Sequence, residues 1–300
     1  MSADEPIRFE FIESNGLTFE VATCGQGDRL ALCLHGFPEH ALSWREQLPM
    51  LARLGYRAWA PNQRGYGHSS RPQGVAAYSI EKLTDDVAGL IDASGAKETI
   101  LIGHDWGAVV AWSFATRRVR PLKALIIMNV PHPMCYLRSL LRSAQLFKSW
   151  YMLFFQIPWL PEWLLTRHHA WLIGEAVRRS SSDPQKFPGD LLQIFRDNAA
   201  APGALTAMLN WYRAIFRGGA RRQVRQGFPV IATPTLMIWG EDDVALSKTT
   251  TYETHLYVSN LTLRYLPGVS HWVQQDAGDV VNAMIEGFLN STWRGASLKM

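Results

Sequence analysis

The sequence predicts an α/β fold in which helices cover both faces of a mostly parallel sheet and an all-helical segment interrupts the alternation. Short apolar runs alternate with helix-period segments up to residue 133 and again from residue 229. Between them, residues 134–228 show only helical patterns. Such alternation is typical of βαβ units with buried strands. We therefore predict a core formed by 1–133 and 229–300, capped by a helical insertion, 134–228.

Each predicted element rests on a local pattern: apolar, β-branched runs between turn residues for strands, and spacings of three and four for helices. The predicted strands are 17–23, 30–34, 57–60, 99–102, 122–128, 235–239 and 261–266. The predicted core helices are 43–54, 80–93, 108–116 and 280–289. The strands are therefore joined mainly by helices, as a parallel sheet requires.

The composition favours a compact globular protein over a disordered chain or a nucleic-acid-binding protein. The chain is 47% hydrophobic and 19% charged, which is the opposite of a disordered sequence, and 300 residues can bury a large core. A net charge of +4 without a long basic run gives no reason to expect a nucleic-acid partner. Cys24, Cys33 and Cys135 lack metal-ligand spacing, so we expect buried free thiols in a reducing compartment.

No targeting or membrane-spanning segment is expected. Residues 1–13 are acidic and lack an apolar signal region, and prolines and charges interrupt the apolar stretch 149–172. Residues 134–228 hold 13 basic and five acidic residues, whereas the remainder holds 17 basic and 21 acidic ones. A cap with solvated arginines explains this contrast, and membrane contact through 150–163 is the alternative. We expect a cytoplasmic protein, and a homo-oligomer is compatible with the sequence.

Gly103-His104-Asp105-Trp106-Gly107 lies between a predicted strand and a predicted helix. A tight nucleophile elbow needs small residues two places before and two places after its central residue, and the two glycines supply them. A serine there would need a base, but the Asp105 carboxylate is already ionised at neutral pH. Attack on an activated sp³ carbon would give an ester of Asp105 that water must cleave. Helix capping by Asp105 is the alternative, which leaves the glycines unexplained.

Two further segments complete a predicted hydrolytic site. The loop after strand 30–34 can direct the Phe37 N–H towards the same point as the Trp106 N–H, and two such donors would stabilise an oxyanion. His35 in that loop is interpreted as a structural hydrogen bonder. His271 follows the last strand, in the chain order nucleophile, acid, histidine that this type of site uses, and is the predicted general base.

The acid that orients His271 should follow strand 235–239. Glu241, Asp242 and Asp243 all stand there, and the residues alone leave the choice open. The end of the preceding strand offers only Asn129, which cannot carry a charge.

With these motifs the chain resembles the α/β-hydrolase superfamily, in particular the soluble-type epoxide hydrolases. The matching segments are HGFPE at 35–39, NQRGYGHS at 62–69, GHDWG at 103–107 and GVSHW at 268–272. The resemblance covers nearly the whole chain and is weakest between about residues 157 and 204. It implies a cis Phe37–Pro38 bond and selects Asp243 as the acid, with Asp242 as the second choice.

The resemblance also implies two cap tyrosines that donate to the epoxide oxygen as the ring opens, since a phenol is protonated at neutral pH. Tyr151 and Tyr212 match them, although simple core packing is the other interpretation. We expect an apolar cavity and a lipophilic epoxide as the small-molecule partner, converted to a vicinal diol without a metal or an organic cofactor. The expected lining residues are Phe37, Trp106, Trp150, Phe154 and Trp211.

Three other functions are compatible with parts of the pattern. Haloalkane and haloacid dehalogenases share the aspartate and the histidine, but they often carry Asn at the position of Phe37 or Arg at that of Trp106. A non-catalytic ligand-binding protein of this fold would typically lack one member of the triad, and here each position is filled. A serine esterase would need Gly-x-Ser-x-Gly at the elbow.

Overall fold

The computed structural model describes residues 5–142 and 145–297. Eight strands form one sheet in the order β1-β2-β4-β3-β5-β6-β7-β8. β1 pairs antiparallel with β2 and β2 with β4, whereas all the other neighbours pair in parallel. The strands are β1 Arg8–Ser14, β2 Leu17–Cys24, β3 Arg29–Leu34, β4 Arg57–Pro61, β5 Glu98–His104, β6 Ala124–Met128, β7 Thr235–Gly240 and β8 Leu261–Leu266. The predicted α/β fold with a mostly parallel sheet is confirmed.

Twelve α-helices are assigned in the described residues. They are α1 Gln47–Arg53, α2 Ile80–Ser94, α3 Trp106–Arg117, α4 Pro133–Arg142, α5 Gln145–Lys148, α6 Trp150–Phe154, α7 Leu160–Ser180, α8 Gly189–Ala200, α9 Ala204–Ala214, α10 Ala220–Gln226, α11 Val273–Asp276 and α12 Gly278–Ser297. A π-helical turn, Ile215–Gly219, joins α9 to α10. Within the described chain, the region between β6 and β7 holds helices α4 to α10 and no strand. We propose the domain division at 133/134 and 228/229 on this basis.

The sheet is buried because alternate side chains of its central strands enter two different apolar clusters. On β5, Leu101 packs with the buried faces of α2 and α3, whereas Ile100 and Ile102 pack with α1 and α12. A parallel strand covered on both faces loses its polar alternation, which is why β5 and β6 are almost continuously apolar. Because β3, β5, β6 and β7 pair in parallel, their carboxyl ends lie at the same edge of the sheet.

Three local features differ from the sequence-based expectations. β1 was not predicted, and it is an antiparallel edge strand with charged residues on a largely exposed segment. The predicted helix 43–54 is a 3₁₀ turn, Ala41–Trp44, followed by α1. Helix α7 is interrupted at residues 167–170, where three consecutive non-glycine residues have φ between 50° and 56°. Left-handed backbone of this kind is costly for residues with a Cβ.

Two expectations from composition can be compared with the structure. Cys24, Cys33 and Cys135 are all buried and form no disulfide bond with one another, as predicted. None of the described helices combines the length and the apolar composition that a bilayer crossing needs.

Candidate active site

A cavity of about 690 Å³ lies above the carboxyl ends of the strands, between the sheet and the helices that follow β6. Asp105 and Trp106 border it from the core, and Tyr151 and Tyr212 border it from α6 and α9. Most of the other bordering side chains are apolar, including Val109, Leu137, Leu140, Met152 and Leu246. A concave apolar site with a few polar groups is the usual form of a small-molecule site.

Asp105 stands in a strained turn between β5 and α3. Its backbone has φ 47° and ψ −124°, a conformation that only a well-supported turn holds in a residue with a side chain. A Cβ on Gly36 would overlap the Asp105 side chain, and a Cβ on Gly107 would overlap the carbonyl oxygen of Leu34. The glycines are therefore needed for close approach. The Asp105 side chain makes no capping hydrogen bond to α3, so capping does not account for it.

The Asp105 carboxylate is held from two sides. The Phe37 N–H donates to Oδ1 at 2.7 Å, and His271 Nε2 lies 3.5 Å from Oδ2. Burial acts to raise the pKa of Asp105, but His271 and the Phe37 amide outweigh it and lower this pKa below its ordinary value. Trp106 is the first residue of α3, so its N–H has no acceptor within the helix. The Phe37–Pro38 peptide bond is cis, as the resemblance implied.

His271 is oriented by Asp243. The His271 Nδ1 atom lies 2.6 Å from Asp243 Oδ2, whereas the neighbouring Asp242 is exposed. Asp243 Oδ1 accepts from the backbone N–H groups of Ala245 and Leu246, both at 2.8 Å. Burial acts to raise the pKa of Asp243, but His271 lowers it overall. Burial likewise acts to lower the pKa of His271, but the Asp243 and Asp105 charges raise it well above its ordinary value.

Asn129 is a supporting residue whose role the sequence did not reveal. Its side-chain amide donates to Asp243 Oδ2 at 2.8 Å, and its Oδ1 accepts from the Gly240 N–H at 2.8 Å. Asn129 follows β6 with φ 47°, a left-handed conformation that asparagine tolerates better than most residues. The end of β6 carries no acid, but its Asn129 holds Asp243, the acid that follows β7, in place.

Glu39 and His104 form a second buried support that sequence reasoning did not assign. Glu39 Oε2 lies 2.8 Å from His104 Nδ1 and accepts from the Gly36 N–H at 2.9 Å. The other ring nitrogen of His104 lies 2.8 Å from the backbone oxygen of His271. The pair thus links the Phe37 loop, the elbow and the base. Glu39 in the motif HGFPE was the sequence signal for this network, because a carboxylate in a buried loop requires hydrogen-bond partners.

Tyr151 and Tyr212 face the cavity that Asp105 borders, with ring centroids 6.1 Å apart. The Tyr212 ring also meets the Trp106 indole edge to face at 4.8 Å. Burial and the Asp105 charge raise the pKa of both phenols well above the ordinary value. Both hydroxyls therefore keep their protons at neutral pH and are available as donors.

The expected apolar lining is only partly correct. Trp106 borders the cavity, but Phe37, Trp150, Phe154 and Trp211 do not. Trp211 is fully buried behind Trp106, where its indole donates to the Arg64 carbonyl at 3.3 Å. Phe37 packs edge-on against Tyr212, and Phe154 packs on Phe155. Trp150 is turned into solvent, because the short helix α6 presents its tyrosine rather than this tryptophan to the cavity.

Comparison with known proteins shows which family this chain resembles. Residues 32–277 match the family model described as alpha/beta hydrolase fold. The AB hydrolase superfamily protein YfhM of Bacillus subtilis is 37% identical over 288 residues, which cover 95% of this chain and 99% of that protein. Human epoxide hydrolase 4 is 35% identical, over 94% of this chain and 78% of that protein. The crystal structure of a Bacillus megaterium epoxide hydrolase with an inhibitor has a TM-score of 0.86 at 29% identity, covering 94% of this chain and 100% of that one.

Proposed function

The chain belongs to the α/β-hydrolase fold family, and we propose that it is an epoxide hydrolase that works through a covalent ester of Asp105. The names of its human and Bacillus megaterium relatives support epoxides as the substrate class. The observation that carries the mechanism is that Asp105 shares one apolar cavity with the phenols of Tyr151 and Tyr212. An epoxide bound there meets a nucleophile and two proton donors at the same time.

In the first half-reaction a carboxylate oxygen of Asp105 forms a bond to one epoxide carbon while the bond from that carbon to the ring oxygen breaks. The released oxygen takes a proton from Tyr151 or Tyr212 and becomes a hydroxyl group. Both phenols remain protonated until this step, because burial and the nearby carboxylate raise their pKa. The product is an alkyl ester of Asp105.

In the second half-reaction His271 Nε2 takes a proton from water, whose oxygen attacks the ester carbonyl carbon of Asp105. The N–H groups of Phe37 and Trp106 stabilise the oxyanion, which collapses as the bond from the carbonyl carbon to the substrate oxygen breaks. The departing oxygen, originally a carboxylate oxygen of Asp105, takes the proton held by His271 and completes the diol. The proton of the regenerated carboxyl group returns through solvent to the ionised tyrosine, so that Asp105 is again a carboxylate and the phenol again carries its proton. Esterification also removes the Asp105 charge, one of the two that raise the pKa of His271. The pKa of His271 therefore falls at the point where the mechanism needs a neutral base.

The test is to offer styrene oxide and a chloroalkane to the purified protein side by side and to measure diol and chloride release. We expect diol formation without chloride release, and loss of activity in Asp105→Asn. Asp92→Asn is the matched control, because Asp92 is exposed, is paired with Arg120 and does not line the cavity. Chloride release at a comparable rate, or no diol from the wild type, would overturn the proposal.

The apolar lining supports a lipophilic epoxide within that class. Transfer of a phenyl group from water into such a cavity favours binding by about tenfold or more relative to a hydroxymethyl group. We therefore expect kcat/KM for styrene oxide to exceed that for glycidol by at least this factor. Equal values for the two epoxides would contradict the preference while leaving the ring-opening chemistry in place.

A further inference from the structure

The mouth of the cavity is marked by residues that border it and are also open to solvent. Leu146 in α5, Leu153 in α6, and Phe216 in the π turn border the cavity with 55%, 59% and 47% of their surfaces exposed. Arg221 at the start of α10 borders it as well and is exposed. We call these four residues the rim. The cavity therefore opens to solvent through an edge that is mainly apolar.

The surface beside the rim is unusually apolar for a protein in water. Large apolar side chains that lie close to Leu146 and Leu153 along the chain are strongly exposed, and clustered exposure of this kind marks interaction sites, whereas singly scattered apolar residues are ordinary on a surface. The exposed side chains are Phe147 at 81%, Trp150 at 64%, Ile157 at 42% and Trp159 at 71% exposure. Three of these four are aromatic, and tryptophan in particular is favoured at the level of lipid headgroups.

The rim residue Arg221 lies in a basic stretch of the chain. Arg217, Arg221 and Arg225 are exposed, and no carboxylate in the described chain forms an ion pair with any of them. In the neighbouring stretch 145–174 the acidic residue is Glu162, which is already engaged by Arg213 at 2.6 Å. Apolar and cationic groups thus border the same opening, without free acidic groups between them.

We propose that the rim and its surroundings dock on an anionic lipid bilayer, so that a lipophilic epoxide passes from the bilayer into the cavity. The apolar side chains would lie at the headgroup boundary, and the arginines would contact anionic lipids. A second copy of the chain is a poorer occupant, because two such surfaces would bring like charges together. Substrate delivery rests on the proposed function, whereas docking itself does not.

Cosedimentation with large vesicles tests the docking. The probes are vesicles of phosphatidylcholine alone and vesicles containing about one-third phosphatidylserine, at low salt and at about 0.15 M salt. The wild type should pellet with the anionic vesicles and bind less as salt rises. Phe147→Ser should weaken binding several-fold. The double variant Arg217→Gln with Arg225→Gln should weaken binding to anionic vesicles by about 25-fold, at about fivefold for each charge.

Matched controls exist elsewhere on the surface. Phe11→Ser changes an exposed phenylalanine on the edge strand β1, and Arg8→Gln with Arg264→Gln removes two exposed arginines from β1 and β8. These variants should bind vesicles like the wild type. All tested side chains are exposed and outside the cavity lining, so every variant should keep its turnover of dissolved styrene oxide.

Three outcomes would overturn the docking proposal. These are no pelleting with either kind of vesicle, equal pelleting of the test and control variants, and a lipid-free dimer in sedimentation velocity that Phe147→Ser dissociates but Phe11→Ser does not. The last would assign the surface to a second copy of the chain. Vesicle binding without diol formation would refute the proposed function alone, and diol formation without vesicle binding would refute the docking alone.

Discussion

Replacing Asp243 by asparagine should separate the two half-reactions. All four groups that contact the Asp243 carboxylate are donors: the His271 ring, the Asn129 amide, and the N–H groups of Ala245 and Leu246. The introduced amide has only one acceptor oxygen, so it can satisfy the two backbone donors or the two side chains, but not all four. One strained donor–donor contact costs about 1–3 kcal/mol of folding stability.

The kinetic effect is larger than this loss of stability. If the amide oxygen stays with Ala245 and Leu246, its NH₂ group faces His271 Nδ1, which must then act as an acceptor. The His271 proton moves to Nε2, the atom that should accept a proton from water. With its proton on Nε2, His271 cannot act as the base, and the rate of the hydrolytic step should fall by about 10⁴-fold. Attack by Asp105 needs no base, so the alkyl ester should accumulate.

The assay is intact-protein mass spectrometry of quenched reactions with excess styrene oxide. Asp243→Asn should shift almost completely to the mass of protein plus one epoxide within a single burst, followed by slow diol release. Asp242→Asn is the matched control, since Asp242 is exposed, and it should turn over like the wild type. Diol release near the wild-type rate, or a slow Asp243→Asn enzyme without the adduct, would refute the reasoning.

Three further predictions concern other parts of the site. Tyr212→Phe should slow alkylation by about 10²-fold, as the loss of one donor to a developing oxyanion does; an unchanged single-turnover rate of adduct formation would contradict this. Lowering the pH should protonate His271 in the ester and so slow hydrolysis, whereas the low pKa of Asp105 keeps alkylation active. The fraction of enzyme present as the adduct at steady state should therefore rise on the acid side. A rise on the alkaline side would contradict the assignment of His271 as the base. Arg213→Met breaks a largely buried ion pair with Glu162 and should lower the free energy of unfolding by about 3 kcal/mol. Urea unfolding should show this as a lower midpoint with an unchanged slope. An unchanged midpoint would show that the pair adds no stability.

Local sequence patterns predicted the sheet well because its central strands are buried on both faces. The apolar runs at β3, β5, β6 and β7 have the short length that is typical of fully buried strands, and those at β5, β6 and β7 also have the typical β-branched content. β1 was missed because an exposed edge strand buries little, so its alternation of aromatic and charged residues carries no strong apolar signal. The break in α7 at residues 167–170 was missed for a related reason, since neither glycine nor proline marks it.

The site residues likewise divide into those that a local sequence motif predicts and those that depend on contacts between distant segments. Asp105 could be predicted because Gly103 and Gly107 flank it within five residues of sequence, and Gly103 is required by contacts with Gly107 and Ala108 in the same turn. The support of Asp243 by Asn129 could not, because it depends on β6 and β7 being neighbours and on the backbone twist after β6. The orientation of Trp150 depends on how the short helix α6 packs, and five residues give too little periodicity to predict which side faces the cavity.

The covalent role of Asp105 is tested most directly by a single turnover in heavy-oxygen water, with excess enzyme over styrene oxide and mass spectrometry of the peptide that contains this residue. If water cleaves an ester at the Asp105 carbonyl carbon, the peptide gains one heavy oxygen and the diol leaves unlabelled. If water attacks the ring directly, the diol carries the label, the peptide does not, and the account given for this cavity is wrong.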